Sequence, residues 1–326
     1  MHICIVNNSV IPALKYGGTE RVIWWLGKML VKMGHKVSYL VSKGSSCPFA
    51  DVYEWNPALP FNSQVPPFVD VLHLSAAPNE PPLKPYIITM HGNLNVVAEL
   101  DPNTVFVSRN HASRYGSDCF VYNCLDVEDY GRPNLTAERK YIHFLADAAW
   151  RIKNVRGAIS IARKAGVQLQ VIGGVRFNVN MGIRLTFDPN TRFNGMKGGE
   201  EKNRIINGSK GLLFPVLWNE PFGLAIIESL YFGCPVIATP YGSLPELVPA
   251  QVGFLSSKKD DLVNAVKNID AFDRVACHQY VMDNFTSDRM ALNYLTLYEK
   301  VMNGLPLNSR APKLKQVQIE KFLAFT

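Results

Sequence analysis

The sequence predicts an α/β protein of two Rossmann-like domains, each a doubly wound parallel sheet, the two facing a central cleft. Three observations carry this expectation. Short apolar runs of strand length alternate with runs whose apolar residues recur every three or four positions, the pattern of βαβ units. The first such unit has a Gly-Gly pair between its strand and its helix. The chain has 326 residues, about two domains at roughly 100–200 residues each.

Taken in order, Ile3, Ile5 and Val6 mark a buried strand that runs into Asn7-Asn8. A loop with Gly17-Gly18 follows, and Thr19, the expected N-cap, opens a helix with Val22, Ile23, Leu26, Leu30 and Met33 at helical spacing. Gly34 ends it before a strand over 36–41. Residues 56–85 hold eight of the 21 prolines, too many for a long helix or a central strand. Strands are expected at 71–74, 86–90, 104–108 and 119–123. Gly131-Arg132-Pro133-Asn134 breaks the pattern, which puts one domain at 1–135 and a second at 136–286. The second is expected to run strand 141–146, helix 154–165, strand 167–172 ending in Gly173-Gly174, helix 200–209, strand 211–216, helix 224–232 and strand 235–239. Helices at 260–269, 274–285 and 288–302 follow, and the segment 287–326 is expected to pack back toward the first domain. No internal repeat is visible.

Apolar residues are 47% and charged residues 19% of the chain, which excludes disorder as a whole. The longest uncharged stretch, 229–245, is broken by Gly233, Pro235, Pro240 and Gly242, so no membrane span is expected. The N-terminus has no basic region and no small-residue cleavage site, and the six cysteines include no Cys-x-x-Cys pair. Both point to the cytoplasm, without disulfides or structural zinc. The 34 basic and 27 acidic residues leave a net charge of +7. No dense Lys/Arg block accompanies it, which argues against a nucleic-acid partner. An anionic substrate fits, as does peripheral contact with the inner face of a membrane through Lys313, Lys315 and Lys321.

The most specific stretch is Asn219-Glu220-Pro221-Phe222-Gly223-Leu224-Ala225-Ile226-Ile227-Glu228 followed by Gly233-Cys234-Pro235. Glu220 falls in the loop after a strand, Gly223 and Leu224 begin the next helix, and Glu228 lies about one turn inside it. Unpaired N–H groups of a first helical turn hold anions, and carboxylates accept from vicinal hydroxyls. Such a pair suits a ligand with a phosphate and hydroxyls at two ends. Singly, Glu220 reads as a helix-end carboxylate, Glu228 as a solvated face residue, and Gly17-Gly18 as an ordinary turn.

Together these segments resemble the retaining group 1 glycosyltransferases, glycosyltransferase family four, of GT-B fold. Glu220 and Glu228 are similar to the family's Glu-x7-Glu signature. Gly17-Gly18-Thr19-Glu20, Thr89-Met90-His91-Gly92, Asn123-Cys124-Leu125-Asp126, Phe193-Asn194-Gly195 and Gly242-Ser243-Leu244-Pro245-Glu246 follow in family order, with Cys124 where the family has Gly. The resemblance implies that the first domain serves the acceptor and the second binds the nucleotide sugar. Glu228 would hold ribose hydroxyls. Glu220, with the backbone of Phe222, Gly223 and Leu224, would hold the donor sugar and diphosphate. Gly17 and Gly18 would approach the phosphates, and His91 would lie near the transferred sugar. The family's Arg and Lys for the diphosphate map to Ala148 and Lys153, so Lys153 is kept, the Arg is lost and Arg151 is displaced.

The implied activity is transfer of a hexosyl-type sugar from a UDP-, GDP- or ADP-linked donor to a saccharide, lipid-linked or small-molecule hydroxyl, in polysaccharide or glycoconjugate synthesis. Retention of configuration is implied, and no cofactor. The chain has no Asp-x-Asp, so no metal is expected on the diphosphate. Two other readings stay open: a sugar-nucleotide epimerase or hydrolase of the same fold, and a non-catalytic nucleotide-sugar-binding protein.

Overall fold

A computed structural model of the protein describes residues 1–13, 17–179, 181 and 183–326. The first half runs β1 (His2–Asn7), α1 (Gly18–Lys32), β2 (Lys36–Val41), β3 (Asp51–Glu54), α2 (Phe61–Gln64), β4 (Val71–Leu74), β5 (Tyr86–Met90), β6 (Thr104–Phe106) and α3 (Arg109–Arg114). The second runs β7 (Tyr141–Leu145), α4 (Val155–Ala165), β8 (Gln168–Ile172), β9 (Phe177–Asn178), β10 (Arg184–Leu185), β11 (Thr191–Phe193), α5 (Gly199–Asn207) and β12 (Ser209–Phe214). It continues through α6 (Leu224–Tyr231), β13 (Val236–Ala238), α7 (Leu244–Leu247), β14 (Gly253–Leu255), α8 (Lys259–Lys267), α9 (Arg274–Asn284) and α10 (Ser287–Met302).

Two compact units result. The first comprises Met1–Asp126 and Phe285–Gln318, the second Val127–Asn284 and Ile319–Thr326. The first holds a parallel sheet in the order β3-β2-β1-β4-β5-β6. The second repeats the same winding as β11-β8-β7-β12-β13-β14. In each, the order reverses beside the first strand, the place where doubly wound sheets put ligands at strand carboxyl ends.

The apolar faces explain the elements. Ile3, Cys4, Ile5, Leu40, Leu72 and Leu74 fill the first sheet, and Val22, Ile23, Leu26 and Leu30 give α1 its buried stripe. Helix α10 belongs to the first unit, where Tyr298 shares a hydrogen bond of 2.7 Å with His73 Nδ1, and Tyr294 one of 3.1 Å with Thr89 Oγ1. In the second unit, Ala158, Ile161 and Ala162 of α4 and Leu262 and Val266 of α8 close one core with Ile142, Phe144 and Val171. All six cysteines are free thiols.

Several expectations are corrected. Gly17 caps α1, with no side-chain bond, and Thr19 lies inside the helix. The strand at 104–108 stops at Phe106 because Ser108 turns to cap α3, its hydroxyl accepting from His111 N at 3.0 Å. Residues 119–123 form a single bridge, Phe106 to Phe120, instead of a strand. The boundary lies at 126/127 rather than 135/136, and 319–326 joins the second unit. The reason is Tyr130, whose hydroxyl donates to Glu228, and Arg139, which donates to the carbonyls of Asn134, Ser209 and Phe232. The Gly-Arg-Pro-Asn segment is therefore tied into the second unit.

Candidate active site

In the second unit, the loop after β12 is shaped before any ligand arrives. The Asn154 amide donates to the Pro215 carbonyl at 2.9 Å, Leu217 N to Ile152 O at 2.7 Å, and Thr239 Oγ1 to Val216 O at 2.6 Å. Ser243 N donates to Glu220 O at 2.9 Å and Ser243 Oγ to Phe222 O at 2.7 Å. Gly242, at φ 65°, lies flat against the Glu220 backbone, where a Cβ would collide with the N and O of Glu220. Gly223 enters α6 at φ 89°, a conformation glycine adopts without strain.

This loop fixes Glu220, 7% exposed, against Lys153. Lys153 Nζ donates to Glu220 Oε2 at 2.6 Å, and Trp218 Nε1 donates to the same oxygen at 2.9 Å. The ammonium also lies 4.8 Å from the Trp218 ring centroid and 5.5 Å from that of Phe214. Glu220 is thus one half of a buried ion pair, not merely a helix-end carboxylate. Phe222 is buried, and Leu224 is the first residue of α6.

Glu228, on α6, is 1% exposed and so is not a solvated face residue. Its Oε1 accepts from Tyr130 Oη at 2.6 Å and Lys202 Nζ at 2.8 Å. Sequence reasoning missed Lys202, Tyr130 and Trp218. A signal existed for Lys202, which together with Asn203 follows the polar first turn of a short amphipathic helix.

Arg151 does not join the Lys153–Glu220 pair; its guanidinium is 5.2 Å from the Phe322 ring. Ala148, Arg151, Arg156, Asn178, Arg184 and Phe322 line a cavity of about 290 Å³. Arg184 was also missed. It is 6% exposed, and its Nε and Nη1 have no partner among the described residues. Ala148 therefore lies in a pocket lined by three arginines.

In the first unit, Gly17 immediately precedes α1, and His91 follows the carboxyl end of β5. Gly17 has φ 151°, and a Cβ there would strike the Glu20 carboxylate and the Ala13 methyl. Gly18 begins α1. His91 Nε2 is buried without a partner among the described residues, and burial lowers its pKa to about 4. The imidazole is therefore neutral near pH 7. Among the described residues no group of three or more His, Cys, Asp or Glu could hold a metal ion. No described helix is long and apolar enough to cross a membrane.

The two sheets and their order define a GT-B fold. AviGT4, a glycosyltransferase of avilamycin A biosynthesis, aligns at TM-score 0.77 and 19% identity over 93% of this chain and 98% of its own. Anabaena Alr3699/HepE, solved with UDP and glucose, aligns at TM-score 0.62 and 14% identity over 92% of this chain and 100% of its own. A probable sucrose-phosphate synthase of Thermosipho melanesiensis is 38% identical over 91 residues, 27% of this chain and 22% of its own length. The chain matches only about a quarter of the length of its curated relatives. Residues 131–270, which include the Lys153–Glu220 pair and Glu228, match the family model described as Glycosyl transferases group 1. The chain has a GT-B fold, and its residues 131–270 are similar to the group 1 glycosyltransferases.

Proposed function

We propose that the chain transfers a hexosyl sugar from a nucleotide-diphosphate sugar to an acceptor hydroxyl, with retention at the anomeric carbon and without a metal. The observation that carries this reading is the buried pair between Lys153, in the turn before α4, and Glu220, on the pre-shaped loop entering α6. In this reading Lys153 and the first N–H groups of α6 stabilise charge on the departing diphosphate. Glu220 accepts from the sugar hydroxyls, and the backbone at Phe222–Leu224 orients the donor. Glu228, held by Lys202 and Tyr130, accepts from ribose. Gly17 and Gly18 let the backbone approach phosphate, and neutral His91 hydrogen-bonds the sugar. Arg151 and Arg184 add positive potential.

The bond from C1 to the diphosphate oxygen breaks as the acceptor oxygen bonds to C1 on the same face. The acceptor proton passes to a leaving phosphate oxygen, so no protein nucleophile is required. The UDP and glucose of the Anabaena relative support a nucleotide-hexose donor and make UDP-sugars the first to test, ahead of GDP- and ADP-sugars. The acceptor is a saccharide, a lipid-linked sugar or a small-molecule hydroxyl.

The test is nucleoside diphosphate release from each donor, with and without acceptor saccharides, and the anomeric configuration of the product by NMR. Acceptor-dependent release with retained configuration is expected. Equal release without acceptor would mean a hydrolase, and tight binding without release a binding protein.

A further inference from the structure

A hairpin in the second unit is built inside out. Strands β9 and β10 pair antiparallel, with Phe177 opposite Leu185 on one face and Asn178 opposite Arg184 on the other. The polar face is the buried one: Asn178 and Arg184 are 9% and 6% exposed. Arg176 donates to the carbonyls of Thr186, Asp188 and Thr191, Arg184 to that of Val175, and Arg156 of α4 to that of Ile183. These bonds hold the hairpin's orientation. The other side is left in water: Phe177 and Leu185 share it, and Val175, Val179, Met181, Ile183 and Phe187 beside them in the chain are exposed as well, the seven at 51% to 82%. Alternation normally turns the apolar face inward, and a contiguous exposed apolar face of this kind marks an interaction surface.

The surroundings say what it meets. A groove of about 520 Å³ runs between the hairpin and α4, with Ile159, Leu185, Phe187 and Pro189 beside Arg156 and Arg163. Asp188 also lines it, but its oxygens accept from Asn190 N and Thr191 Oγ1. Arg192 is exposed on the adjoining strand β11. An apolar face rimmed by arginines, on a chain of net charge +7, complements acyl chains beneath anionic headgroups. A two-fold contact with a second copy would oppose two faces of the same positive sign, which is unfavourable. We propose that this hairpin docks the protein on an anionic lipid bilayer. This puts membrane contact at the β9–β10 hairpin instead of the basic tail, and it stands independently of the sugar-transfer reading.

The experiment is co-sedimentation of the full chain with phosphatidylcholine vesicles, with and without phosphatidylglycerol. Binding is expected to the mixed vesicles and to weaken in high salt. The combined variant Phe177→Ser, Ile183→Ser, Phe187→Ser should bind at least about tenfold more weakly. Arg163→Glu should lose the preference for phosphatidylglycerol. All these side chains are exposed, and unchanged circular dichroism and melting temperature in the variants would show that folding is kept. Failure of the wild type to sediment with either vesicle would overturn the proposal. So would vesicle binding that survives the triple Ser change, or a dimer by light scattering that the same change abolishes.

Discussion

At the scale of single residues, the question is whether Lys153 and Glu220 act on a ligand or only on each other. Both side chains are nearly buried, at 11% and 8% exposure. Removing one partner strands a charge, which costs roughly 3–5 kcal/mol, whereas replacing both with neutral groups of similar shape costs far less. Lys153→Ala should therefore lower both stability and turnover. Lys153→Met with Glu220→Gln should recover stability in urea titrations while turnover stays down by at least about 10²-fold. Recovery of turnover along with stability would reduce the pair to a structural device. Glu228→Gln addresses the other end of the ligand. Losing charge-assisted bonds costs roughly 1.5–3 kcal/mol, so nucleoside diphosphate affinity by calorimetry should fall about tenfold or more. Unchanged affinity in the folded variant would leave Glu228 as an internal partner of Lys202 and Tyr130.

At the scale of elements, the loop from β12 to α6 is set by a second loop, the Gly242-Ser243 turn before α7. Gly242→Ala has both a positive φ and a collision with the Glu220 backbone against it. It should displace Glu220 and cut turnover, at a stability cost of about 1–3 kcal/mol, while circular dichroism stays unchanged. Full activity in that variant would show that the position of the Glu220 loop is not critical.

Elements also show what a sequence conveys. The strands and helices around Glu220 were legible because a buried strand, a loop and an apolar helix follow in unbroken order. Lys153 was legible only through the family resemblance, which maps the family's Lys to it. Trp218, Lys202 and Tyr130 were not, because their roles depend on which loop reaches which carboxylate: Tyr130 meets Glu228 across 98 residues of sequence. The hairpin escaped for a different reason. Its strands are two residues each, and its alternation of apolar and polar residues does not say which face is buried.

At the scale of the whole molecule, each unit encloses at least one histidine that burial keeps neutral. Burial lowers the pKa of His73 in the first unit and of His143 in the second to about 3, His143 being held between the hydroxyls of Ser209 and Ser229. The folded values lie below the unfolded value of about 6.5, so the unfolded chain takes up protons first as pH falls. Their contribution to stability is thus fully present above about pH 6.5 and declines from there toward pH 3, by up to about 1.4 kcal/mol per pH unit for each group. Urea midpoints should be nearly level above pH 7 and drop steadily from pH 6.5 to pH 4.5. Level midpoints across that range would mean that the buried imidazoles titrate normally.

The chemistry proposed for the whole chain rests on a fixed cation, Lys153, and a helix N-terminus carrying the charge that a metal carries elsewhere. The most direct measurement is the initial rate of acceptor-dependent nucleoside diphosphate release in excess EDTA, for the wild type and for Lys153→Ala. An undiminished wild-type rate and a loss of at least about 10²-fold in the variant are expected. A wild-type rate abolished by EDTA and restored by Mn²⁺ would contradict the proposal, because the leaving diphosphate would then depend on a metal.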